Sequence, residues 1–203
     1  MGVIRAFIAI ELPLRTQEAI QKQTARLRQT FGDRQVRWVP ADNLHLTLKF
    51  LGDVESAHLD FITQMLSQTV DSYTEFEIRF SGLGSFPTSK RPRVLWIGLQ
   101  FPASLVSLQR EIESSAERLG YKKEERGFSP HLTIGRVRQD ASAADLQQIS
   151  KAIESIQLGH VEPVKVDSIH LFKSDLKPSG AIYTSLFSTN LKNASTVAVE
   201  DKR

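Results

Sequence analysis

The sequence predicts an α+β protein, pseudo-duplicated into two sheet lobes that face a central cleft, and three observations predict it. The stretch His45-Leu46-Thr47-Leu48 returns as His131-Leu132-Thr133-Ile134. Each copy alternates apolar and polar residues, as a half-buried strand does. The order around each copy is also alike: strand, helix, motif strand, helix and further strands in the first half, then helix, motif strand, helix and strands in the second. Too much chain separates the two histidines for one local turn to produce both.

Taken in order, residues 3–11 read as a strand, with Ala6, Ile8 and Ile10 on one face and Arg5, Phe7, Ala9 and Glu11 on the other. Pro13 opens a helix to about Thr30, carried by Leu14, Ile20, Leu27 and Phe31 and ended by Gly32. Trp38-Val39-Pro40 leads into the first motif strand, 43–51, which Gly52-Asp53 closes. On that strand Leu44, Leu46, Leu48 and Phe50 are expected to face a core, and His45, Thr47 and Lys49 to face away from it. Leu59, Ile62, Leu66 and Val70 fall three or four apart and predict a helix over 55–71. Strands follow at 75–81 and 93–99, joined by a loop over 82–93 rich in Gly, Pro and positive charge. That loop reads either as a solvated connection or as a rim that binds phosphate through Lys90, Arg91 or Arg93.

A third helix, 102–119, places Leu105, Leu108, Ile112 and Leu119 on one face and stops at Gly120. The charged stretch 121–127 is an exposed loop, and Pro130 holds Ser129 extended before the second motif strand, 131–137. Leu146, Ile149, Ile153 and Ile156 mark a fourth helix, and strands at 162–172 and 181–188 finish the fold. The expectation is one bilobal domain over 1–190 and a fraying polar tail over 191–203.

Composition narrows the function classes. The chain of 203 residues is 40% hydrophobic and 24% charged, as ordinary globular proteins are. It has no cysteine, which excludes disulfides and thiolate metal sites and suits a reducing cytoplasm. The apolar run at the N-terminus is too short for a membrane span and reads as a buried strand. A net charge of +3 tolerates a nucleic-acid partner without demanding one.

In a strand, residues i and i+2 share a face, so each motif presents an imidazole and a hydroxyl together. Two imidazoles across one cleft suit general acid–base catalysis, since an unperturbed histidine titrates near 6.5. One takes a proton from an attacking oxygen while the other gives one to a departing oxygen, which is what cleaving a P–O bond needs. The threonine hydroxyls can donate to non-bridging phosphate oxygens. Zinc sites ask for three or four ligands at short spacings, and none occurs here. His58, His160 and His170 read as structural or solvated. Gly-x-Ser-x-Gly is absent, as is a Gly-rich phosphate loop.

Further stretches accompany the motifs: 5–13, Trp38-Val39-Pro40, 43–52, Phe86-Pro87, 93–98, 128–137 and 171–174. Together they resemble the 2H phosphoesterase superfamily, in particular its RNA 2′,3′-cyclic phosphodiesterase branch, the LigT-like or 2′-5′ RNA ligase family. The resemblance covers residues 3–190. It implies two antiparallel sheets flanking the cleft with helices outside, and hydrolysis of a terminal 2′,3′-cyclic phosphate on RNA to a 2′-phosphate and a free 3′-hydroxyl. By the same resemblance His45 is the proton donor, His131 the proton acceptor, and Thr47 and Thr133 hold the phosphate. The two-fold likeness of the motifs leaves acid and base undecided without it. Run in reverse, the same groups would join a cyclic phosphate end to a 5′-hydroxyl.

No cofactor and no metal is implied, the partners are RNA ends, and a monomer is expected. Arg136 is a candidate phosphate ligand: on a regular strand it points away from His131, and a bulge would re-aim it. Arg5 and Phe7 share the outward face of the first strand, where Phe7 would stack on a terminal base or join the core. Two other readings stand beside this one: the same fold acting on 2′-5′ oligonucleotides or small cyclic nucleotides, and a non-catalytic module that binds RNA ends.

Overall fold

The computed structural model describes residues 2–178 and 180–193. In chain order its elements are β1 (Val3–Glu11), α1 (Leu14–Gln35), β2 (Val36–Trp38), β3 (His45–Glu55), α2 (Leu59–Val70), β4 (Phe76–Thr88), β5 (Arg91–Gln100), α3 (Ala103–Arg118), β6 (His131–Val137), α4 (Ala143–Ser155), β7 (Val164–Val166), β8 (Ser168–Lys177) and β9 (Gly180–Asn190). Single 3-10 turns lie at Ala41–Asn43 and Ser56–His58. The strands make two antiparallel sheets, ordered β3-β1-β8-β9 and β2-β6-β5-β4-β7. Each sheet has a helix-covered face that builds the core and an opposite face turned to the cleft.

The expected duplication is visible in the pairing. β1 lies antiparallel to the first motif strand β3, and β5 lies antiparallel to the second motif strand β6. The helices, however, exchange lobes. α1 follows a strand of the first sheet but packs on β2 of the second, while α3 follows a strand of the second sheet and packs on β3 of the first. α2 lies beside α3, and α4 covers β4 and β5. One continuous apolar cluster results, running from Ile8 and Leu46 in the first sheet to Ile97 and Ile134 in the second.

Local chemistry explains the main boundaries. Gly32 takes φ 52°, which breaks the helical path before a last turn and releases the chain into β2. Ser142 caps α4: its hydroxyl accepts from the Asp145 amide, and the Asp145 carboxylate accepts from the Ser142 amide.

The structure corrects four expectations. Residues 82–88 and 91–93 are strand rather than loop, because β4 and β5 form a long hairpin that absorbs Gly82 (φ 62°) at a register shift. The single strand expected over 162–172 is cut at Asp167, where the chain leaves β7 in one sheet for β8 in the other. Val36–Trp38 is a strand, β2, and not merely a lead into the first motif; the Trp38 ring lies under the Arg28 guanidinium at 5.2 Å and its indole N–H donates to the Gly32 carbonyl. The tail expectation fails at its start. Leu191 is buried, its amide donates to Asp167, and Lys192 exchanges backbone bonds with Tyr73 and Glu75. Residues 194–203 lie outside the described residues. No helix among the described residues is long and apolar enough to cross a membrane.

Candidate active site

Each motif strand carries a β-bulge, and the bulges decide what enters the cleft. In the first sheet the cross-strand partners run Glu11–His45, Ala9–Thr47, Ile8–Lys49 and Phe7–Phe50. Leu48 is the extra residue, so the alternation that puts His45 and Thr47 on the cleft face is shifted by one beyond it. Lys49 therefore points into the core and Phe50 into the cleft, the reverse of the expected faces. Helix α3 receives the altered strand: Gln109 donates to the Leu48 carbonyl at 3.3 Å, and Glu113 pairs with the buried Lys49 ammonium. Glu113 also accepts from the Glu124 amide, and Lys49 donates to the Lys122 carbonyl, which ties down the charged loop before β6.

The second sheet repeats the device. Its partners run Gly98–His131, Trp96–Thr133, Leu95–Gly135 and Val94–Arg136, with Ile134 as the extra residue. Arg136 thus returns to the face of His131 and Thr133. The turn of the strand is tight, since a Cβ on Gly135 would come within 2.7 Å of Val36 Cγ1. Counted from each histidine, Phe50 and Arg136 hold the same place in the two lobes.

The histidines are held alike. His45 Nδ1 lies 2.7 Å from the Asn43 carbonyl and His131 Nδ1 lies 2.7 Å from the Ser129 carbonyl. A carbonyl can only accept, so each Nδ1 carries hydrogen and each Nε2 is left for chemistry. Rings fix the imidazoles sideways. Phe7 and Tyr183 pack on His45 at 4.8 and 5.1 Å, and Phe86 packs edge-on to His131 at 4.9 Å. Burial holds the His45 pKa below its ordinary value; the Asn43 carbonyl opposes this, while the charges of His131 and Arg136 lower it further. Those two charges act on His45 across the cleft, where β3 and β6 come together. Thr47 and Thr133 are half-buried beside their histidines, and neither hydroxyl bonds another group among the described residues.

Phe7 is 3% exposed, stacked on Phe172 at 5.3 Å and covered by Tyr183 at 4.9 Å. Its ring backs His45 and offers no free face, whereas Phe50 is 63% exposed. The cover comes from the β8–β9 hairpin, whose pairing with β1 ends at Lys173. Beyond that point the hairpin arches over the cleft. Asn43 donates to the Ala181 carbonyl at 2.7 Å, and Arg37 of the opposite lobe donates to the Pro178 carbonyl at 3.1 Å. Nothing in the local sequence around Tyr183 announces this, because the arm's path is set by tertiary contacts.

The remaining candidates lie apart from the motifs. Lys90 and Arg91 are exposed at the β4–β5 turn, and Arg93 donates to the Arg138 carbonyl at 3.2 Å. His160 meets Glu162 on the surface, and His58 meets Phe61. His170 is stacked on Phe172 with Glu11 3.7 Å from its Nδ1. Among the described residues no three His, Asp or Glu side chains gather as a metal site.

A model of the 2′-5′ RNA ligase superfamily matches residues 16–178. The RNA 2′,3′-cyclic phosphodiesterase of Methanothermobacter thermautotrophicus is 34% identical over 185 residues, spanning 90% of this chain and 96% of that protein. The Escherichia coli protein of the same name is 37% identical over 142 residues, 69% of this chain and 74% of its own length. Among solved structures, E. coli LigT complexed with 3′-AMP superposes with a TM-score of 0.75 at 27% identity, covering 94% of this chain and 99% of that one.

Proposed function

The chain belongs to the 2′-5′ RNA ligase superfamily, and from that premise we propose that it is an RNA 2′,3′-cyclic phosphodiesterase that opens the terminal cyclic phosphate of RNA to leave a 2′-phosphate. The observation that carries this reading is the pair of His-x-Thr units, each with Nδ1 on a backbone carbonyl, facing one cleft from separate lobes.

In this reading His131 takes a proton from water through Nε2 while the water oxygen attacks phosphorus. The bond from phosphorus to the 3′ oxygen breaks, and protonated His45 gives its Nε2 proton to that oxygen. The phosphate stays on the 2′ oxygen and the ribose gains a 3′-hydroxyl. Thr47 and Thr133 donate to the non-bridging oxygens, and the Arg136 guanidinium adds positive charge where negative charge builds. Phe7 holds the imidazole of His45 in place from behind. Each proton transfer is worth about 10²–10⁴-fold in rate. Reversal of the same steps is 2′-5′ ligation. The protein works as a monomer in the cytoplasm: one chain supplies both histidines, and a chain without cysteine suits a reducing compartment.

The test is an RNA whose 3′ end bears a cyclic phosphate, incubated with enzyme and EDTA. The wild type is expected to yield 2′-phosphate ends, and His45→Ala and His131→Ala are each expected to lose at least about 10²-fold in kcat. A 3′-phosphate product, or full turnover by either variant, overturns the assignment.

A further inference from the structure

Two arginines on the cleft faces of the two sheets act on the same phenol, Tyr183, which packs against His45. Arg5 is exposed on the cleft face of β1, two residues from Phe7. Arg136 is exposed on the cleft face of β6 because of the bulge at Ile134. Neither makes a hydrogen bond or ion pair among the described residues, although most other arginines of this chain's sheets find a carbonyl or carboxylate, as Arg37, Arg79 and Arg93 do. Tyr183 is brought to this face by the β8–β9 arm, its ring against Phe7 and His45. Burial raises the Tyr183 pKa, and the charges of Arg136 and Arg5 both act against that rise. The phenol therefore keeps its proton and is a donor, as the two guanidiniums are. Asp53 lies opposite Arg5 on β3 but forms no ion pair with it, and Arg136 pairs with no carboxylate among the described residues, so both guanidiniums remain available to an anion.

We propose that Arg5, Tyr183 and Arg136 form a second anion subsite, which takes the 5′ phosphate of the nucleotide whose cyclic phosphate is being opened. Arg136 acts on both His45 and Tyr183 whereas Arg5 acts on Tyr183 and not on His45, so in this proposal Arg136 serves both phosphates and Arg5 the second alone. A nucleoside cyclic phosphate has no group for that site, whereas the last nucleotide of an RNA chain always has one. The subsite thus selects RNA ends over free cyclic nucleosides. It rests on the proposed phosphodiesterase reading for its substrate, but its binding can be measured apart from turnover.

Two measurements decide it. In calorimetry, the wild type is expected to bind adenosine 3′,5′-bisphosphate roughly ten- to hundredfold more tightly than adenosine 3′-monophosphate, the worth of a charge-assisted hydrogen bond or two. Arg5→Ala is expected to shrink that ratio to near one, Tyr183→Phe to reduce it, and Arg5→Lys to restore part of it. In turnover, adenosine 2′,3′-cyclic phosphate with and without a 5′ phosphate should show the same ratio in kcat/KM and the same collapse in Arg5→Ala. If the wild type binds both nucleotides equally, or the ratio survives Arg5→Ala, the subsite is refuted even where both substrates are hydrolysed. If neither is hydrolysed but the Arg5-dependent ratio in binding holds, the subsite stands and the phosphodiesterase reading falls.

Discussion

At the scale of single residues, the two histidines have the same tethers and different surroundings, and the difference has a sign. Burial and the charges of His131 and Arg136 hold His45 below its ordinary value. As proton donor His45 must be charged, so the competent fraction of free enzyme falls as pH rises through that depressed pKa. The high-pH limb of kcat/KM is then expected below about 6.5. A bound phosphodiester brings negative charge that favours the imidazolium, so the corresponding limb of kcat should lie at higher pH. Arg136→Gln removes one of the charges that lower His45, and should shift the kcat/KM limb upward while raising KM. A pH–rate series on wild type and variant reads all three; a limb unmoved by Arg136→Gln would separate that residue from His45. The two phenylalanines that share this face differ just as sharply. Phe7→Ala opens a cavity behind His45 and should cost about 3–5 kcal/mol in urea unfolding, whereas Phe50→Ala, at a solvated site, should stay within about 0.5 kcal/mol.

At the scale of elements, the motif strands were legible and their bulges were not. Period-two alternation gave His45 with Thr47 and His131 with Thr133, because both pairs precede the extra residue. After Leu48 and Ile134 the alternation shifts, so Phe50 leaves its expected core place, Lys49 enters the core, and Arg136 returns to the cleft. No local composition marks Leu48; what supports the shift is Gln109 and Glu113 on α3, distant in sequence. For Arg136 the sequence does define the alternative: a regular strand turns it away from His131, and a bulge turns it back. The buried Lys49–Glu113 pair gives a test of that support. Glu113→Ala leaves an uncompensated ammonium with its side chain 2% exposed, and should cost about 3–5 kcal/mol, while Lys49→Met with Glu113→Leu should recover most of it. On the other strand, Gly135→Ala drives a methyl into Val36 and should cost about 1–3 kcal/mol, with a loss of kcat/KM as Arg136 is displaced.

At the scale of the whole molecule, the order of the two halves was readable, but the exchange of helices between them was not. An amphipathic helix declares that it has an apolar face and does not declare which sheet that face will meet. Because α1 serves the second sheet and α3 the first, neither lobe can lose its helices without exposing the core of the other. The same exchange stiffens the cleft, since the loop before β6 is tied through Glu113 to Lys49 on β3, next to His45 and Thr47. The chain should therefore unfold as one unit over the described residues. Both tryptophans, Trp38 and Trp96, lie in the second sheet, so their fluorescence reports that lobe while far-UV circular dichroism reports both. The two urea transitions are expected to coincide. A ligand held by both lobes should then raise both curves together: adenosine 3′-monophosphate at a hundred times its Kd should add about 2.7 kcal/mol by either probe. Separate transitions, or stabilisation seen by dichroism and not by fluorescence, would mean that the lobes fold apart and that the ligand sits on one of them.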